Sequence, residues 1–322
     1  MIAAILIVAL RPILIRYTLA RPNNRSSHRE PTPQGGGIAV IAATLTSLVG
    51  AAILIPGIIG EPTHLAFVIA ATLGLTVVGA TDDIHPLEAA PRLLLQTMAV
   101  AVVIATLPPE LRVVSSLPWW LERAGLVIGG VWFVNLSNFM DGIDWMTVAE
   151  VVPVTGGLTV FGLMGALPWD ATLSALALFG AILGFAPFNR PVARLFLGDV
   201  GSLPIGLIMS WMLILLAGAG HLVASLLLPL YYLADATTTL LRRLLNGEQV
   251  TQAHRSHFYQ RAIDRGLSVH VIVGRVFAIN VVLVALALVT LLTAVLWVHA
   301  VALIAGCIFV GWLLHSFENR KK

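Results

Sequence analysis

Six aspartates stand at or near the ends of apolar stretches of this chain, where their carboxyl groups could share one site: Asp82, Asp83, Asp141, Asp144, Asp199 and Asp235. A carboxylate at membrane depth costs several kcal/mol unless it faces a wet, paired or metal-filled cavity. Adjacent carboxylates such as Asp82 and Asp83 repel each other unless a cation or a proton lies between them. The pattern therefore predicts proton-accepting groups, a divalent metal site, or both. Mg²⁺ prefers oxygen ligands of this kind.

The segment from 21 to 37 combines positive charge with turn-forming residues. It contains prolines and ends in three consecutive glycines, so we expect it to interrupt a helix and to expose backbone donors. Its candidate anion-binding residues are Arg25, Ser26, Ser27 and His28. These groups could bind a phosphate, although a loop that contacts anionic lipid would have the same composition.

Two further segments contain candidate binding or metal-ligating groups. Four basic or imidazole side chains cluster in the segment 241–273: His254, Arg255, His257 and Arg261. Two histidines three residues apart would share one face of a helix and could bind a metal, but the interleaved arginines favour an anionic partner. The string FLGDVGS at 196–202 places Asp199 between two glycines, where the backbone could approach a bound phosphate closely.

The elements that position these groups are apolar helices. Hydrophobic residues make up 58% of the chain and charged residues 11%, against about a quarter charged in soluble domains. Because backbone in lipid must satisfy its own hydrogen bonds, the sequence predicts one all-α domain, 1–322, a polytopic transmembrane helix bundle. The lone Cys307 excludes a disulfide framework. About eleven spans are predicted, with ten as the alternative count; they lie at 2–19, 37–59, 65–81, 92–107, 124–137, 148–167, 171–187, 203–219, 222–240, 274–296 and 298–316.

Positive charge predicts the orientation of these spans. With the N-terminus outside and the C-terminus in the cytoplasm, the inner segments and the span ends beside them hold sixteen of the nineteen Lys and Arg residues, as the positive-inside rule requires. The outer segment 108–123 carries Arg112 and Arg123. It also contains Trp119 and Trp120, which indicate an interfacial aromatic anchor.

Five strings occur in one order and on one predicted side of the membrane: PNNRSSHREPTPQGGG at 22–37, GATDDIHPLEAAPRLLLQ at 79–96, NLSNFMDGID at 135–144, NRPVARLFLGDVGSLPIG at 189–206 and AHRSHFYQRA at 253–262. With this ordered set the chain resembles the polyprenyl-phosphate N-acetylhexosamine-1-phosphate transferases, glycosyltransferase family 4. The resemblance implies an enzyme of a bacterial inner membrane with its active site on the cytoplasmic face. It implies that polyprenyl phosphate, such as undecaprenyl phosphate, attacks a UDP-linked N-acetylamino sugar and releases UMP. It also implies Mg²⁺ as cofactor, with Mn²⁺ able to substitute.

The resemblance also implies roles for residues. Asp199 corresponds to the metal ligand, and Asp82 and Asp83 correspond to the acidic pair that handles the lipid phosphate or its proton. Asn138 and Asp141 correspond to contacts with the nucleotide or at the metal site, with Asp141 counted among the catalytic residues. The remaining candidates for binding substrate phosphates are Arg25, Ser26, His28, His254, Arg255 and His257. Membrane lipids and a second copy of the chain are further expected partners, and nucleic acid is not.

Two departures from the family pattern matter. The histidine motif is interrupted as His-Arg-Ser-His, which is more similar to the branch that starts O-antigen and lipopolysaccharide synthesis than to the peptidoglycan branch. The donor is therefore expected among UDP-N-acetylfucosamine, UDP-N-acetylquinovosamine and UDP-N-acetylglucosamine. Trp145 replaces the glycine that usually follows Asp144, which leaves the shape of that loop and the role of Asp144 open.

Alternatives from other classes remain at this stage. An ion- or proton-coupled secondary transporter would also carry intramembrane carboxylates, but it tends to hold them near the midplane at broken helices. A lipid-binding scaffold without turnover would explain the basic loops and leave the carboxylates unexplained. For an enzyme, both direct attack by the lipid phosphate and a two-step route through an aspartyl-phosphate are open.

Overall fold

The computed structural model describes residues 1–20, 31–60, 62–249 and 254–319, and these form a helix bundle with one very short antiparallel hairpin. The hairpin pairs β1 (Leu19–Ala20) with β2 (Thr32–Pro33). The helices are α1 Ile2–Tyr17, α2 Gly36–Leu54, α3 Pro62–Ile84, α4 Ala89–Ala105, α5 Trp119–Met140, α6 Met146–Leu163, α7 Trp169–Phe185, α8 Asp199–Leu216, α9 Leu222–Leu227, α10 Leu230–Leu245, α11 Phe258–Asp264, α12 Val269–Leu291 and α13 Leu296–Glu318. The prediction of a polytopic all-α membrane bundle is confirmed at this level.

Helix occupies each of the predicted apolar segments, and six helices in the described ranges are long and apolar enough to cross a membrane. The predicted span 222–240 is wrong as a single helix, because α9 ends at Leu227 and α10 begins at Leu230. Pro229 lies in this break, where its ring and missing N–H oppose a continuous helix. The count of eleven spans and the placement of the termini stay predictions.

The most buried of the long helices is α8, in which nearly every residue is buried, whereas most residues of α13 are not. Helices in a bilayer gain little from the hydrophobic effect against one another, so close packing through small residues holds them together. A Cβ on Gly79 would lie 2.2 Å from the Asp199 carbonyl oxygen, and one on Gly201 would lie 2.6 Å from the Gly37 Cα. These contacts bring the end of α3 and the start of α2 against the start of α8.

The glycine run of 35–37 begins a helix and does not expose its donors, in contrast to the prediction. Gly36 and Gly37 are the first residues of α2. Their N–H groups donate to the carbonyl oxygens of Phe196 and Leu197, at 2.9 and 2.8 Å. Gly35 has a φ of 104°, a conformation that side chains rarely adopt. The glycines thus attach the start of α2 to the segment that precedes α8.

The segment 108–123 lies at the opposite end of α5 from Asn138 and Asp141. Within it, Glu122 accepts hydrogen bonds from the Arg112 guanidinium and from the N–H groups of Val113 and Val114. Trp119 and Trp120 are 52% and 66% exposed, an arrangement that an interfacial anchor would require. The anchor role stays a prediction.

Candidate active site

The Asp83 carboxylate caps the N-terminus of α8. Its Oδ1 accepts the N–H of Asp199 at 2.9 Å, and its Oδ2 accepts the N–H of Val200 at 3.1 Å. Gln34 donates a further hydrogen bond to Oδ1. A helix N-terminus offers unpaired N–H groups and partial positive charge, so a carboxylate is stabilised there. Asp83 therefore fixes the position of Asp199.

Asp82 faces a different partner, although it is the neighbour of Asp83. Its Oδ1 accepts the Leu87 N–H at 2.6 Å, and Arg92 donates to its Oδ2 at 2.8 Å. The Asp82 and Asp199 carboxyl groups lie within hydrogen-bonding range of each other. Arg92 also lies 3.9 Å from Asp199 Oδ2. Sequence reasoning missed Arg92, whose only signal was a cation at the start of an apolar span.

Asn138, in the last turn of α5, binds Asp199 directly. Its Nδ2 donates to Asp199 Oδ1 at 2.8 Å and to Ser202 Oγ at 3.0 Å. The structure thus brings Asn138 together with Asp82, Asp83 and Asp199, as the sequence predicts. Ser202 was not predicted.

This group suits a divalent cation of the Mg²⁺ type. Two carboxyl groups in contact, Asp82 and Asp199, need a proton or a cation between them. Within the described residues, no three His, Cys, Asp or Glu side chains form a metal cluster. Mg²⁺ does not require one, because it is usually held by one or two carboxylates with water and substrate phosphate. The donor set therefore fits Mg²⁺, with Asp199 and Asp82 as the residues that would hold it.

Asp141 lies in the short loop between α5 and α6 and is half-buried. Thr147 donates a hydrogen bond to its Oδ1. Burial raises the pKa of Asp141 to about 7; the Thr147 hydrogen bond opposes this rise, and the nearby charges of Asp83 and Asp144 reinforce it. A carboxyl group that titrates near neutral pH is suited to general base catalysis.

The loop that follows Asp141 turns through a left-handed residue, Trp145. Asp144 is 5% exposed, and its Oδ2 accepts the Ala193 N–H at 3.0 Å. Trp145 has a φ of 62°, the left-handed conformation that glycine adopts without penalty. Its N–H donates to Asn189 Oδ1 and its indole Nε1 to the Ala186 carbonyl oxygen, each at 2.7 Å. These two bonds hold the tryptophan in this conformation.

A pair of substitutions at Trp145 tests this account. Trp145→Ala removes the indole but keeps a Cβ atom on a residue with positive φ, which costs free energy. Trp145→Gly removes both the indole and that cost. We expect Trp145→Gly to be more stable than Trp145→Ala by about 1 kcal/mol. Unfolding of the two variants in the same detergent measures the difference. An alanine variant at least as stable as the glycine variant would show that the backbone conformation is not strained.

A cavity of about 180 Å³ lies between the α5–α6 loop and the segment before α8. Its lining residues are Gln34, Asp141, Gly142, Ile143, Asp144, Asn189, Phe196, Leu197, Gly198 and Asp199. The cavity therefore joins an aromatic ring, three carboxyl groups and the start of α8. Gly198 lines this cavity, although its Cβ position faces Asp83 Oδ2 at 2.5 Å, whereas Gly201 packs against Gly37. Close approach of a phosphate to the backbone at Gly198 stays a prediction.

His257 is positioned by a buried aspartate. It is the N-cap residue of α11, and its Nδ1 lies 3.1 Å from Oδ1 of Asp235, which is 0% exposed. The same oxygen accepts the Phe258 N–H at 3.2 Å, and Tyr231 donates to Oδ2 at 3.2 Å. Asp235 thus fixes the ring of His257 through Nδ1, which directs Nε2 away from it.

The two histidines do not lie on a helix face, which was the geometry the sequence suggested. His254 precedes α11 in irregular structure. The rings of His254 and His257 nevertheless pack with centroids 5.0 Å apart. Ser256 Oγ lies 2.8 Å from His254 Nδ1, and Arg255 pairs with Asp264 at 3.2 Å. The irregular segment before α11 and the cap at His257 thus bring the side chains of the histidine motif together.

Helix α11 packs directly on the Asp141 loop. The Tyr259 hydroxyl donates to the Phe139 carbonyl oxygen at 3.0 Å. A Cβ on Gly142 would lie 2.1 Å from that hydroxyl oxygen, so only glycine fits at 142. The histidine motif and the carboxylates thus belong to one end of the bundle, termed here the site end. The predicted residues Arg25, Ser26 and His28 lie outside the described residues.

Asp235→Asn is expected to lower the activity of this site by about 10- to 100-fold, because groups that orient a functional histidine act at this scale. The asparagine keeps the shape but loses the charge that orients Nδ1. Thr239→Val is the matched control, since it removes only a 3.3 Å contact to Asp235 Oδ1. Steady-state kinetics of the two variants check the prediction. Equal rates for the two variants would contradict it.

Comparison with known proteins agrees with this geometry. The profile of glycosyl transferase family 4 matches residues 65–217, which include α3, α5, α8 and the loop of Asp141. The chain belongs to glycosyl transferase family 4. The matched region contains each of the site carboxylates except Asp235.

This chain is also similar to proteins that are named as sugar-phosphate transferases. It is 27% identical over 304 residues to the probable undecaprenyl-phosphate N-acetylglucosaminyl 1-phosphate transferase of Bacillus subtilis, covering 87% of this chain and 82% of the relative. It is 26% identical over 298 residues to the decaprenyl-phosphate N-acetylglucosaminephosphotransferase of Mycolicibacterium smegmatis, covering 80% and 72%. A phospho-N-acetylmuramoyl-pentapeptide-transferase of Deinococcus radiodurans is 32% identical over 200 residues, covering 55% and 60%.

Proposed function

We propose that this protein transfers an N-acetylamino-sugar 1-phosphate from a UDP-sugar to undecaprenyl phosphate and releases UMP. The observation that carries the proposal is the contact of the Asp82 and Asp199 carboxyl groups, beside Arg92 and the 180 Å³ cavity. Phosphoryl transfer needs positioning and charge neutralisation more than covalent chemistry. A paired carboxylate site with a flanking arginine supplies both.

The geometry suggests a place for each part of the donor. Mg²⁺, or Mn²⁺ in its place, would be held by Asp199 and Asp82 and would neutralise charge on the diphosphate when bound. The nucleoside would lie in the cavity beside Asp199, where Phe196 supplies an aromatic ring. His254, Arg255 and His257 would bind phosphate oxygens, since each can donate charge-assisted hydrogen bonds. The lipid phosphate then forms a new P–O bond with the sugar-linked phosphorus as UMP leaves.

The finer predictions are part of the same proposal. The site end lies at the cytoplasmic face of a bacterial inner membrane, because the predicted inner segments carry most of the positive charge. We propose eleven spans with the N-terminus outside. The interrupted motif His254-Arg-Ser-His257 supports an N-acetylamino hexose donor of the O-antigen type rather than a muramoyl-pentapeptide. The names of the relatives from Bacillus subtilis and Mycolicibacterium smegmatis add UDP-N-acetylglucosamine as the first donor to test.

The deciding experiment offers purified protein in lipid nanodiscs a panel of UDP-sugars with undecaprenyl phosphate and Mg²⁺. The panel contains UDP-linked N-acetylglucosamine, N-acetylfucosamine, N-acetylquinovosamine and N-acetylmuramoyl-pentapeptide. We expect UMP release that requires both the lipid phosphate and the divalent cation, with a lipid-diphosphate-sugar as product. No UMP with any donor would reject the proposal, and turnover of the pentapeptide donor alone would reject the proposed branch.

The transporter alternative has less support from the geometry. Asp82, Asp83 and Asp199 lie at helix ends, and Asp83 is committed to capping α8. A transporter would be expected to hold its carboxylates at broken helices near the midplane. UDP-sugar or ion uptake into proteoliposomes without UMP release would favour this alternative.

A further inference from the structure

The last turn of α13 is bound by arginines from other elements of the site end. The Glu318 carboxylate accepts hydrogen bonds from Arg242 in α10 and from Arg261 in α11, the latter at 3.3 Å. Arg265, which directly follows α11, donates to the Phe317 carbonyl oxygen at 3.0 Å. These contacts lie outside the carboxylate site and the cavity described above, and they join α13 to the helix that carries the histidine motif.

The C-terminus of a helix is an unfavourable place for a carboxylate, because its unpaired carbonyl groups carry partial negative charge. Glu318 is nevertheless the last residue of α13. Its side chain is only 24% exposed, so compensating positive charge comes from Arg242 and Arg261 as well as from water. The bond from Arg265 satisfies one of the unpaired carbonyl oxygens. The charges at this helix end therefore bind α10 and α11 to α13.

Helix α11 needs such contacts because it contains only seven residues. Helices this short are unstable by themselves in water. At the start of α11, Asp235 accepts the Phe258 N–H at 3.2 Å, and Arg242 Cζ lies 4.7 Å from the centroid of the Phe258 ring. Arg242 thus links the first residue of α11 to Glu318, which also binds Arg261 in the last turn. The same carboxylate therefore acts on both ends of the short helix.

The position of α11 decides where the histidine motif lies, because His257 caps this helix. Gln260 closes the cap, since its Oε1 accepts the His257 N–H at 3.2 Å. Tyr259 joins the same helix to the end of α5. A shift of α11 would therefore move His257 relative to both Asp235 and the carboxylate site.

We propose that Glu318 is a positioning residue: by pairing with Arg242 and Arg261 it holds α11, and with it the histidine motif, in place for binding the sugar nucleotide. Arg261, which the sequence groups with the candidate anion-binding residues, is thereby assigned to a carboxylate of the protein itself. The inference rests on the proposed function for its kinetic test. The hold on α11 is measured without any substrate.

The sign of the kinetic effect distinguishes positioning from electrostatics. Glu318→Gln removes a negative charge and releases two arginines at the site end, which by charge alone favours an anionic donor and lowers its KM. Loss of positioning has the opposite effect, because binding groups that are no longer held in place lose affinity. We expect the KM for the UDP-sugar to rise about fivefold, the upper end for a partly exposed ion pair. The kcat should stay within about twofold, as for a loss of uniform binding.

Hydrogen exchange of the α11 amides measures the same hold without turnover. In lipid nanodiscs, the amides of 258–264 in Glu318→Gln should exchange about fivefold faster than in wild-type protein. Glu248→Gln is the matched control, since it removes a carboxylate that pairs at 2.8 Å with Arg243 of α10. Glu248 also lies within electrostatic range of His254. This control therefore removes a nearby negative charge while its ion pair lies away from α11, and we expect neither faster exchange nor a higher KM.

Each other outcome overturns the proposal. Unchanged exchange in Glu318→Gln, or an equal increase in Glu248→Gln, would show that the Glu318 contacts do not hold α11. Faster exchange with an unchanged or lower KM would show that the histidine motif does not depend on that hold, and a loss of kcat alone would indicate less folded protein. If wild-type protein turns over no UDP-sugar, the proposed function fails, and the exchange comparison alone decides whether Glu318 holds α11.

Discussion

Asp199→Asn is expected to reduce transferase activity by about 10³-fold, the scale at which loss of a charge-stabilising group affects an enzyme. The substitution removes the negative charge that, with Asp82, would hold the divalent cation. It leaves the fold in place, because α8 is capped by Asp83 through backbone N–H groups and not by the Asp199 side chain. Rates at increasing Mg²⁺ concentration measure the effect.

The matched control for this prediction is Ser202→Ala. Ser202 shares the Asn138 amide with Asp199, one turn further along α8. Its loss removes a hydrogen bond and no charge, so we expect a change of a few-fold at most. If Asp199→Asn keeps full activity at limiting Mg²⁺, the metal assignment is wrong. Equal losses in both variants would mean that the position of Asn138 matters and the charge does not.

The sequence could predict which carboxylates meet but not what each one does. Asp82, Asp83 and Asp199 stand at ends of apolar segments, and the fold brings those ends together through glycines. Neighbouring residues on a helix point about 100° apart. Asp83 therefore points at α8 while Asp82 points at Arg92. That division depends on which helix packs on each face, which a single sequence does not contain.

Local patterns were misread where tertiary contacts replaced local structure. The glycines at 36 and 37 suggest a loop with free donors, but their N–H groups pair with the segment before α8. His254 and His257 have helical spacing, but the helix starts only after His257, which caps it. Asp235 had no assigned role in the sequence, because its contact with His257 spans 22 residues. Each case required a partner distant in the chain.

Trp145 is a position where two local hydrogen bonds hold an unusual backbone conformation. Its left-handed conformation is the one that explains the usual glycine. Asn189 and the Ala186 carbonyl oxygen hold the tryptophan there. Asp144 accordingly still faces the Ala193 N–H and lines the cavity.

Asp141→Asn is the second substitution for which we expect a large effect, a loss of about 10³-fold, because a general base contributes at this scale. Both Asp83 oxygens already accept hydrogen bonds from α8. Asp141 is therefore the better candidate to take a proton from the lipid phosphate. With a pKa of about 7, Asp141 is ionised above that pH and protonated below it. Wild-type kcat/KM should then fall as the pH decreases through about 7.

Substituting two neighbours of Asp141 should move this fall in kcat/KM, the acidic limb of the pH profile, in opposite directions. Such opposite shifts would distinguish Asp141 from other titrating groups. Asp144 raises the pKa of Asp141 by charge repulsion, so Asp144→Asn should shift the limb to lower pH. Thr147 lowers that pKa by donating a hydrogen bond to the carboxylate, so Thr147→Val should shift it to higher pH. The shifts are read from kcat/KM profiles of the three proteins in one buffer series. An acidic fall in kcat/KM that stays at the same pH in both variants would assign the proton acceptor to another residue.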